Sequence, residues 1–440
     1  MYIKLENKYI RMYINLNISA SSSANMVSRR NLEEFNSWWF TGNVPDELLP
    51  IYKRQLFYEL VPQITKRVIN SIVGLRRVGK TTLMFQLIQH MLTTGVEKSD
   101  ILYFNFDEYA EKLDDVLDVY REVHYKDFRQ NKIYLFFDEI QKLEKWPDQI
   151  KKYYDLYPKL KIFLSGSDSL FISSKTKETL AGRILEFQLK PLSFKEFIDI
   201  KGIGKQPEDK MLLLFSEYMK KGGFPETINK TELEIRDYVK SIVLDKIIFK
   251  DIQTLFQIKD TEALRQIIEI IAVNPGMYLE YNSLAQQLGR DRRSIKSFVM
   301  LLKASFLVKL FANYRKGKVA TIRKIKRIYP VDSSIITTFN PLIDISKLAE
   351  TVVANSTETN VFWKNSHEVD FVLENMPVEV KYTNNVIGKD LLSVREFMKK
   401  FSVKQGLILT KMQAGTRTVP EGLITLIPVW RFVLEREKKI

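Results

Sequence analysis

Cysteine is missing from this 440-residue chain, and histidine occurs only at His90, His124 and His367. The first absence excludes disulfides, thiolate metal sites and a cysteine nucleophile, and the second argues against a multi-histidine metal centre. Long apolar runs are missing too: none approaches the roughly eighteen residues that a membrane-spanning helix needs. The amino-terminal stretch lacks the pattern of a signal peptide, because Lys4, Glu6, Lys8 and Arg11 interrupt it and the polar run Ser19 to Asn25 closes it. These absences predict a cytoplasmic protein without a membrane span. Met26 stands just before the first organised segment, so residues 1–30 read as a tail or extension, with translation starting at Met1 or Met26.

What is present bounds the function further. Hydrophobic residues make up 45% of the chain, enough for a core in each of about three domains. The formal net charge of +15 points to an anionic partner, with nucleic acid first and an acidic membrane surface second.

The most informative stretch is Gly74-Leu75-Arg76-Arg77-Val78-Gly79-Lys80-Thr81-Thr82, which matches G-x-x-x-x-G-K-[ST]. Val68-Ile69-Asn70-Ser71-Ile72-Val73 before it and Leu83 to Ile88 after it supply the strand and helix that a phosphate-cradling loop requires. Backbone N–H groups from Gly74 through Arg77, Val78 and Gly79 to Thr82 would face a β-phosphate. Lys80 would reach the β- and γ-oxygens, and the Thr81 hydroxyl would ligate Mg²⁺. A short amphipathic element from Asn31 to Phe40 and a helix from Tyr52 to Leu60 lead into this region.

Two further apolar runs, Ile101 to Phe106 and Lys132 to Phe137, are separated by a helical stretch, which predicts a parallel sheet covered on both faces. The second ends in Asp138-Glu139 at the carboxyl edge, where such sheets bind ligands. Asp138 would hold Mg²⁺ and Glu139 would orient and deprotonate an attacking water. An Asp-Glu pair can also simply cap a helix. The next strand, Lys161 to Leu164, ends in Ser165-Gly166-Ser167, so Ser165 and Ser167 are candidate γ-phosphate sensors or helix caps. Arg183, before the strand Ile184 to Leu189, is an arginine-finger candidate in cis or in trans, with a structural salt bridge as the alternative.

These motifs, with Ala181-Gly182-Arg183 and the segment Pro191-Leu192-Ser193-Phe194-Lys195-Glu196-Phe197, resemble the archaeal-type AAA+ (P-loop) ATPases that carry a winged helix and a PD-(D/E)XK nuclease-like C-terminal domain. The likeness runs from about Asn31 to the end of the chain. It implies an α/β fold class: a P-loop AAA+ core with a parallel sheet at 31–190 and a helical lid at 191–260. A winged helix-turn-helix at 261–330 and a small α/β restriction-endonuclease-like domain at 331–440 would follow. It also implies that Pro225, in Gly222-Gly223-Phe224-Pro225-Glu226, packs beside the nucleotide.

Residues 262 to 304 read as three helices, the third capped by Asp291, with Arg292, Arg293 and Lys296 facing out and Ile295, Phe298, Val299, Leu301 and Leu302 facing in. Strands Phe306 to Phe311 and Val319 to Ile325 would form a wing hairpin around Arg315-Lys316-Gly317-Lys318. From Arg290 to Arg327 there are thirteen Lys or Arg and one acid. Arg290, Arg292, Arg293, Lys296, Arg315, Lys316 and Lys318 are therefore the candidate DNA contacts, unless the module docks protein.

Further on, Glu368 to Leu373 and Pro377 to Tyr382 read as two strands joined at Glu374-Asn375-Met376. Period two puts Glu379 and Lys381 on one face, within reach of Asp370. Two carboxylates can hold Mg²⁺ against a phosphate while Lys381 handles the attacking water. The family's D…E-x-K arrangement would be Asp370, Glu379 and Lys381, with Glu350 as its helix-borne acid, although ordinary half-exposed strands also carry Glu and Lys two apart.

The expected function is a Mg²⁺-dependent ATPase that uses ATP state to control DNA binding or remodelling by its C-terminal half. The alternatives are an ATP-dependent signalling or assembly switch acting on a protein partner or homo-oligomer, and an ATP-regulated endonuclease.

Overall fold

The structure, a computed structural model, describes residues 27–107, 112–166, 178–256, 258–315 and 326–437. Ser167, Lys316, Lys318 and the expected wing strand at 319–325 lie outside these residues. The chain separates into two compact units. Of the described residues, one comprises those within 27–73, 80–166 and 178–188, the other those within 74–79 and 189–437.

The first unit is built on strands β1 (Ile69–Val73), β2 (Ile101–Asn105), β3 (Ile133–Asp138), β4 (Leu160–Gly166) and β5 (Ile184–Gln188). All pair in parallel, in the order β2-β3-β4-β1-β5. Strands β1, β3 and β4 are buried throughout, and β3 accordingly reads as a nearly continuous apolar run. Phe136 and Phe163, in register on neighbouring strands, stack at 4.6 Å. Because β4 inserts between β3 and β1, the carboxyl ends of strands distant in sequence stand side by side.

Strand β2 is the sheet edge, where unpaired backbone groups need partners. The lead-in supplies them. The buried Asn36 side chain accepts from Tyr103 N–H at 2.7 Å and donates to Tyr103 C=O at 2.9 Å, and Trp39 Nε1 donates to Ile101 C=O at 2.8 Å. At the amino end of the central strand β4, Lys161 is buried with its ammonium shared among the carbonyls of Lys66 and Val68 and the side chain of Asn70. Burial, with Lys132 and Lys66 nearby, pushes this amine down to about 7.

The second unit has its own core. Phe194 and Phe215, from helices Phe194–Ile200 and Glu208–Lys221, belong to the same apolar cluster as Val353, Phe371, Leu409 and Trp430. That cluster crosses the boundaries read from sequence at 260 and 330. Beyond a stretch of π-helical turns, Tyr238–Leu244 and Ile247–Ile252, come helices Thr261–Val273, Tyr281–Leu288 and Arg292–Ala304.

Two sheets follow. The first holds β6 (Met277–Tyr278), β7 (Val308–Asn313), β8 (Lys326–Pro330), β9 (Val361–Lys364) and β10 (Glu368–Val369), in the order β10-β9-β7-β8-β6. β7 and β8 pair antiparallel, and β7 overlaps the first wing strand read from sequence at 306–311. The second holds β11 (Phe371–Leu373), β12 (Met376–Lys381), β13 (Gln405–Thr410), β14 (Gly415–Val419) and β15 (Gly422–Pro428), in the order β11-β12-β13-β15-β14. The strand read as continuous from Glu368 to Leu373 is broken at Asp370, where the chain passes from one sheet to the other. Glu374 and Asn375, both at positive φ, close β11 onto β12 as a two-residue turn.

Gly223 marks a tight backbone approach: Leu192 N–H donates to its carbonyl at 2.6 Å, and a Cβ there would lie 2.4 Å from Leu192 O. Gly223→Ala is expected to cost about 1–3 kcal/mol, as overpacking does, measured as a lower denaturant midpoint. Gly204→Ala, where nothing lies within 4 Å of the added carbon, should leave that midpoint unchanged.

Candidate functional site

Strand β1 runs into the loop 74–79 and then into the helix Lys80–Thr93. Two glycines shape the loop. At Gly74 a Cβ would come within 2.2 Å of Leu189 O, and Gly79 has φ +98, with open space where its Cβ would be. Arg77 also takes a positive φ, and Val78 is fully buried. Lys80 and Thr81 open the helix, Lys80 with only 5% exposure, and Thr82 is half-buried beside them.

Asp138, at the end of β3, is 1% exposed and accepts from donors on several elements. Thr81 Oγ1 donates to Oδ2 at 2.6 Å and Tyr103 Oη to the same atom at 2.9 Å. Ser165 Oγ, at the end of β4, donates to Oδ1, which also accepts from Glu139 N–H at 3.1 Å. Neighbouring parallel strands and the first turn of a helix thus converge on one carboxylate. Glu139 follows in the left-handed region with φ +51, and the Gln141 amide donates to its carboxylate. Gly166 makes room for that glutamine, since a Cβ there would meet Gln141 Oε1 at 2.8 Å. Sequence reasoning found Thr81, Asp138, Glu139 and Ser165 but missed Tyr103 and Gln141. Tyr103 has a usable signal in retrospect, being a polar ring inside an apolar strand.

Arg183 requires a correction. Its carbonyl accepts from Ile69 N–H at 2.8 Å, and β5 pairs with β1 from Ile184↔Ile69 to Gln188↔Val73. Arg183 therefore lies at the amino edge of the sheet, about 16 Å of strand away from the carboxyl ends. Its guanidinium is paired with Asp155 at 2.8 and 3.2 Å. A finger acting within its own chain is ruled out by this placement.

In the second unit, Arg76 reaches both oxygens of the buried Asp251, at 2.8 and 3.1 Å. Arg77 meets Glu226 at 3.3 Å, immediately beyond Pro225. The side chain of Arg77 is therefore committed to an acid next to Pro225. The Arg77 pair is half-exposed and contributes little by itself.

The basic segment sorts into outward and inward residues. Arg292, Arg293 and Lys296 are exposed on the helix Arg292–Ala304, whose N-terminus Asp291 caps through Arg293 and Ser294 N–H. Arg290 is ion-paired with Asp260, and Arg315 is half-buried. Lys309 turns inward, donating to the carbonyls of Ala354 and Thr357 at 2.8 and 2.7 Å. Arg327, counted in the same basic run, is 4% exposed. The charge density read from sequence is thus partly internal.

Arg327 sits at the base of a cavity of about 440 Å³, lined also by Lys347, Glu368, Asp370, Glu379 and Lys381. One guanidinium nitrogen meets Glu368 Oε1 at 3.0 Å and Asp370 Oδ1 at 3.1 Å, and the other meets Glu350 Oε1. Tyr329 Oη donates to that same Glu350 oxygen at 2.6 Å, and Lys347 Nζ holds the second at 3.0 Å. Asp370 Oδ2 accepts from Val380 N–H at 2.9 Å, while Lys381 Nζ pairs with Glu379 Oε1 at 2.7 Å. The four acids and bases named from sequence are therefore gathered here. Arg327 and Glu368 were missed, the first because a basic run reads as solvent-facing.

Burial and the neighbouring Asp370 push Glu379 up to about 8, and burial with Glu350 lifts Asp370 to about 6. Burial also works against a charged Glu350, but Arg327 and Lys347 outweigh it and hold that acid below its usual range.

Residues 66–198 match the family model described as "AAA domain". The parallel sheet and the donors around Asp138 lie inside the matched residues. Residues 212–346 match a second, described as "Domain of unknown function (DUF8612)". A relative from Haemophilus influenzae is 32% identical over 248 residues, covering 54% of this chain and 61% of its own length. One from Methanocaldococcus jannaschii is 25% identical over 426 residues, covering 87% of this chain and 91% of its own. Both are described as uncharacterized proteins. Among solved structures, the Aeropyrum pernix ORC1 protein in complex with DNA is similar at TM-score 0.33 and 11% identity, over 72% of this chain and 96% of that one. AMPPCP-bound DnaA from Aquifex aeolicus is similar at TM-score 0.30 and 13% identity, over 57% and 86%.

Glu379 generates a pH signature. Its carboxyl binds a proton up to about 8 in the folded state against 4.5 for the ordinary group. The folded state therefore holds more protons between those values, and stability falls as pH rises through that window. In Glu379→Gln this slope is expected to disappear, so the variant's melting temperature should climb relative to the parent from about pH 5 to about pH 8. Circular-dichroism melts across that range check it; parallel profiles for the two proteins would contradict it.

Proposed function

We propose that this chain is a Mg²⁺-dependent ATPase whose nucleotide state governs nucleic-acid binding by its C-terminal half. The observation that carries this reading is the convergence on Asp138 of Thr81, Tyr103 and Ser165, beside a glycine-shaped phosphate loop.

The donor set fits a hard divalent cation: the Thr81 hydroxyl and the Asp138 carboxylate, both oxygen donors, lie 2.6 Å apart. When bound, Mg²⁺ neutralises charge on the phosphate oxygens. Thr81 and Asp138 would hold it, and loop N–H groups together with Lys80 would bind the phosphates. Glu139 would orient and deprotonate water, and Ser165 would sense the γ-phosphate from the adjacent strand. As an arginine finger, Arg183 would serve a second copy of the chain.

We read 31–190 as the AAA+ core, 191–260 as its lid, 261–330 as a winged helix-turn-helix and 331–440 as a nuclease-like domain. Three helices followed by the β7–β8 hairpin support the third assignment. The order of the helix Ile345–Ser356, the β11–β12 pair, the helix Leu392–Phe401 and β13 supports the fourth. Pro225 and Glu226 stand next to the Arg77 contact, so nucleotide in the loop would be felt by that turn.

Lys80→Ala is expected to abolish nucleotide binding. Glu139→Gln should bind ATP normally while hydrolysing it about 10²-fold or more slowly. Isothermal titration with ATP and a phosphate-release assay measure the two, and normal turnover in either variant overturns the mechanism.

For the nucleic-acid arm, reversing Arg292, Arg293 and Lys296 to Glu should weaken duplex-DNA binding more than tenfold. It should also reduce the slope of log K against log salt by about two to three. Fluorescence anisotropy across a salt series reads both. Unchanged affinity and slope would instead favour the assembly-switch reading, in which the same helix docks a protein partner.

A further inference from the structure

We infer that Arg327 is an internal cation that fills the divalent-metal position of the C-terminal acidic cavity, so that this site is closed to Mg²⁺ while β8 holds its place. Only the expectation that a cation belongs there rests on the nuclease-like reading of 331–440; the geometry stands without it.

A nuclease-type site needs carboxylate oxygens that converge on one open point. Here they converge on a guanidinium. Asp370 Oδ1, Glu368 Oε1 and Glu350 Oε1 all meet Arg327, whose Nε is itself anchored to Gly276 C=O at 2.8 Å. The remaining oxygens are also assigned: Asp370 Oδ2 to Val380 N–H, Glu350 Oε2 to Lys347 and Glu379 Oε1 to Lys381. One exception points to what the cavity was shaped for. Glu379 is 5% exposed and lines the cavity, yet among the described residues its Oε2 has no hydrogen-bond partner. A buried carboxyl oxygen left open in this way is expensive unless something is meant to meet it.

As they stand the donors do not fit a metal, and among the described residues no group of three or more acids or histidines is arranged to hold one; withdrawal of Arg327 would vacate the point where Asp370, Glu368 and Glu350 meet. Arg327 is carried by β8, which pairs with β7 and β6 and adjoins the basic segment 315–326. Phosphodiester cleavage at Asp370, Glu379 and Lys381 is accordingly shut off in this conformation. The contact acts as an autoinhibitory plug that a movement of β8 would remove.

The test uses the full, nucleotide-free chain and Mn²⁺ as the probe, read by electron paramagnetic resonance and by thermal shift. Wild-type protein should show no Mn²⁺ site that depends on Asp370. Arg327→Gln should gain one, with a melting temperature that rises with Mn²⁺, and Asp370→Asn in that background should abolish the gain. Because Arg327→Gln leaves buried carboxylates uncompensated, the charge-conserving double variant Arg327→Gln/Glu368→Gln provides the same readout with Glu350 and Asp370 retained and without that folding penalty. A wild-type Mn²⁺ site lost in Asp370→Asn would overturn the plug while leaving the nuclease-like reading intact. Failure of both Arg327 variants, folded, to bind Mn²⁺ would overturn the inference by showing that the acids form no latent metal site.

Discussion

A carboxylate taken out of water must be given donors or a cation, and both units of this protein are arranged around that requirement. In the first, Asp138 is satisfied by hydroxyls from Thr81, Tyr103 and Ser165 and by the Glu139 backbone. Each donor arrives from a different element, so the carboxylate is correctly dressed only when β2, β3, β4 and the helix Lys80–Thr93 are all in register. The parallel sheet makes that register possible, and the Asn36 and Trp39 contacts that cap β2 keep its edge from fraying.

In the second unit the same requirement is met with charge. Three acids from a helix, a strand and an inter-sheet joint surround Arg327, and the guanidinium supplies the planar, multidirectional donors that three carboxylates need. The break in the strand at Asp370 follows from this. The backbone leaves one sheet and enters another at the residue whose side chain must turn into the cavity. The Arg327 carboxylates are thus balanced by a cation, whereas Asp138 is balanced by neutral hydroxyls and a backbone N–H.

Much of the first site was legible because its information is local. The phosphate loop is one contiguous motif, and a buried parallel strand announces itself as an apolar run whose last residue falls at the carboxyl edge. Asp138, Glu139 and Ser165 could therefore be placed together from residue order alone. The reading of Arg183 as a finger within its own chain failed by the same logic, while its alternative, a salt bridge, is the pair with Asp155. Arg183 stands before its strand, not after it, and so lies at the wrong edge of the sheet. The direction of β5 was readable, but the pairing of Ile69 with Ile184 was not.

By itself the sequence determined the phosphate loop, the apolar strands and the residue types that two acidic sites require, since these depend on side-chain chemistry and short-range periodicity. Only the tertiary structure decided which charges face water and which face each other. A run of basic residues looks uniform along the chain, yet Arg292, Arg293 and Lys296 point outward, Arg290 is paired, and Lys309 and Arg327 are buried. The partners of the buried ones, Ala354, Thr357, Glu350, Glu368 and Asp370, lie twenty or more residues away. Contacts at that separation are set by how helices and sheets pack, and no local pattern encodes them.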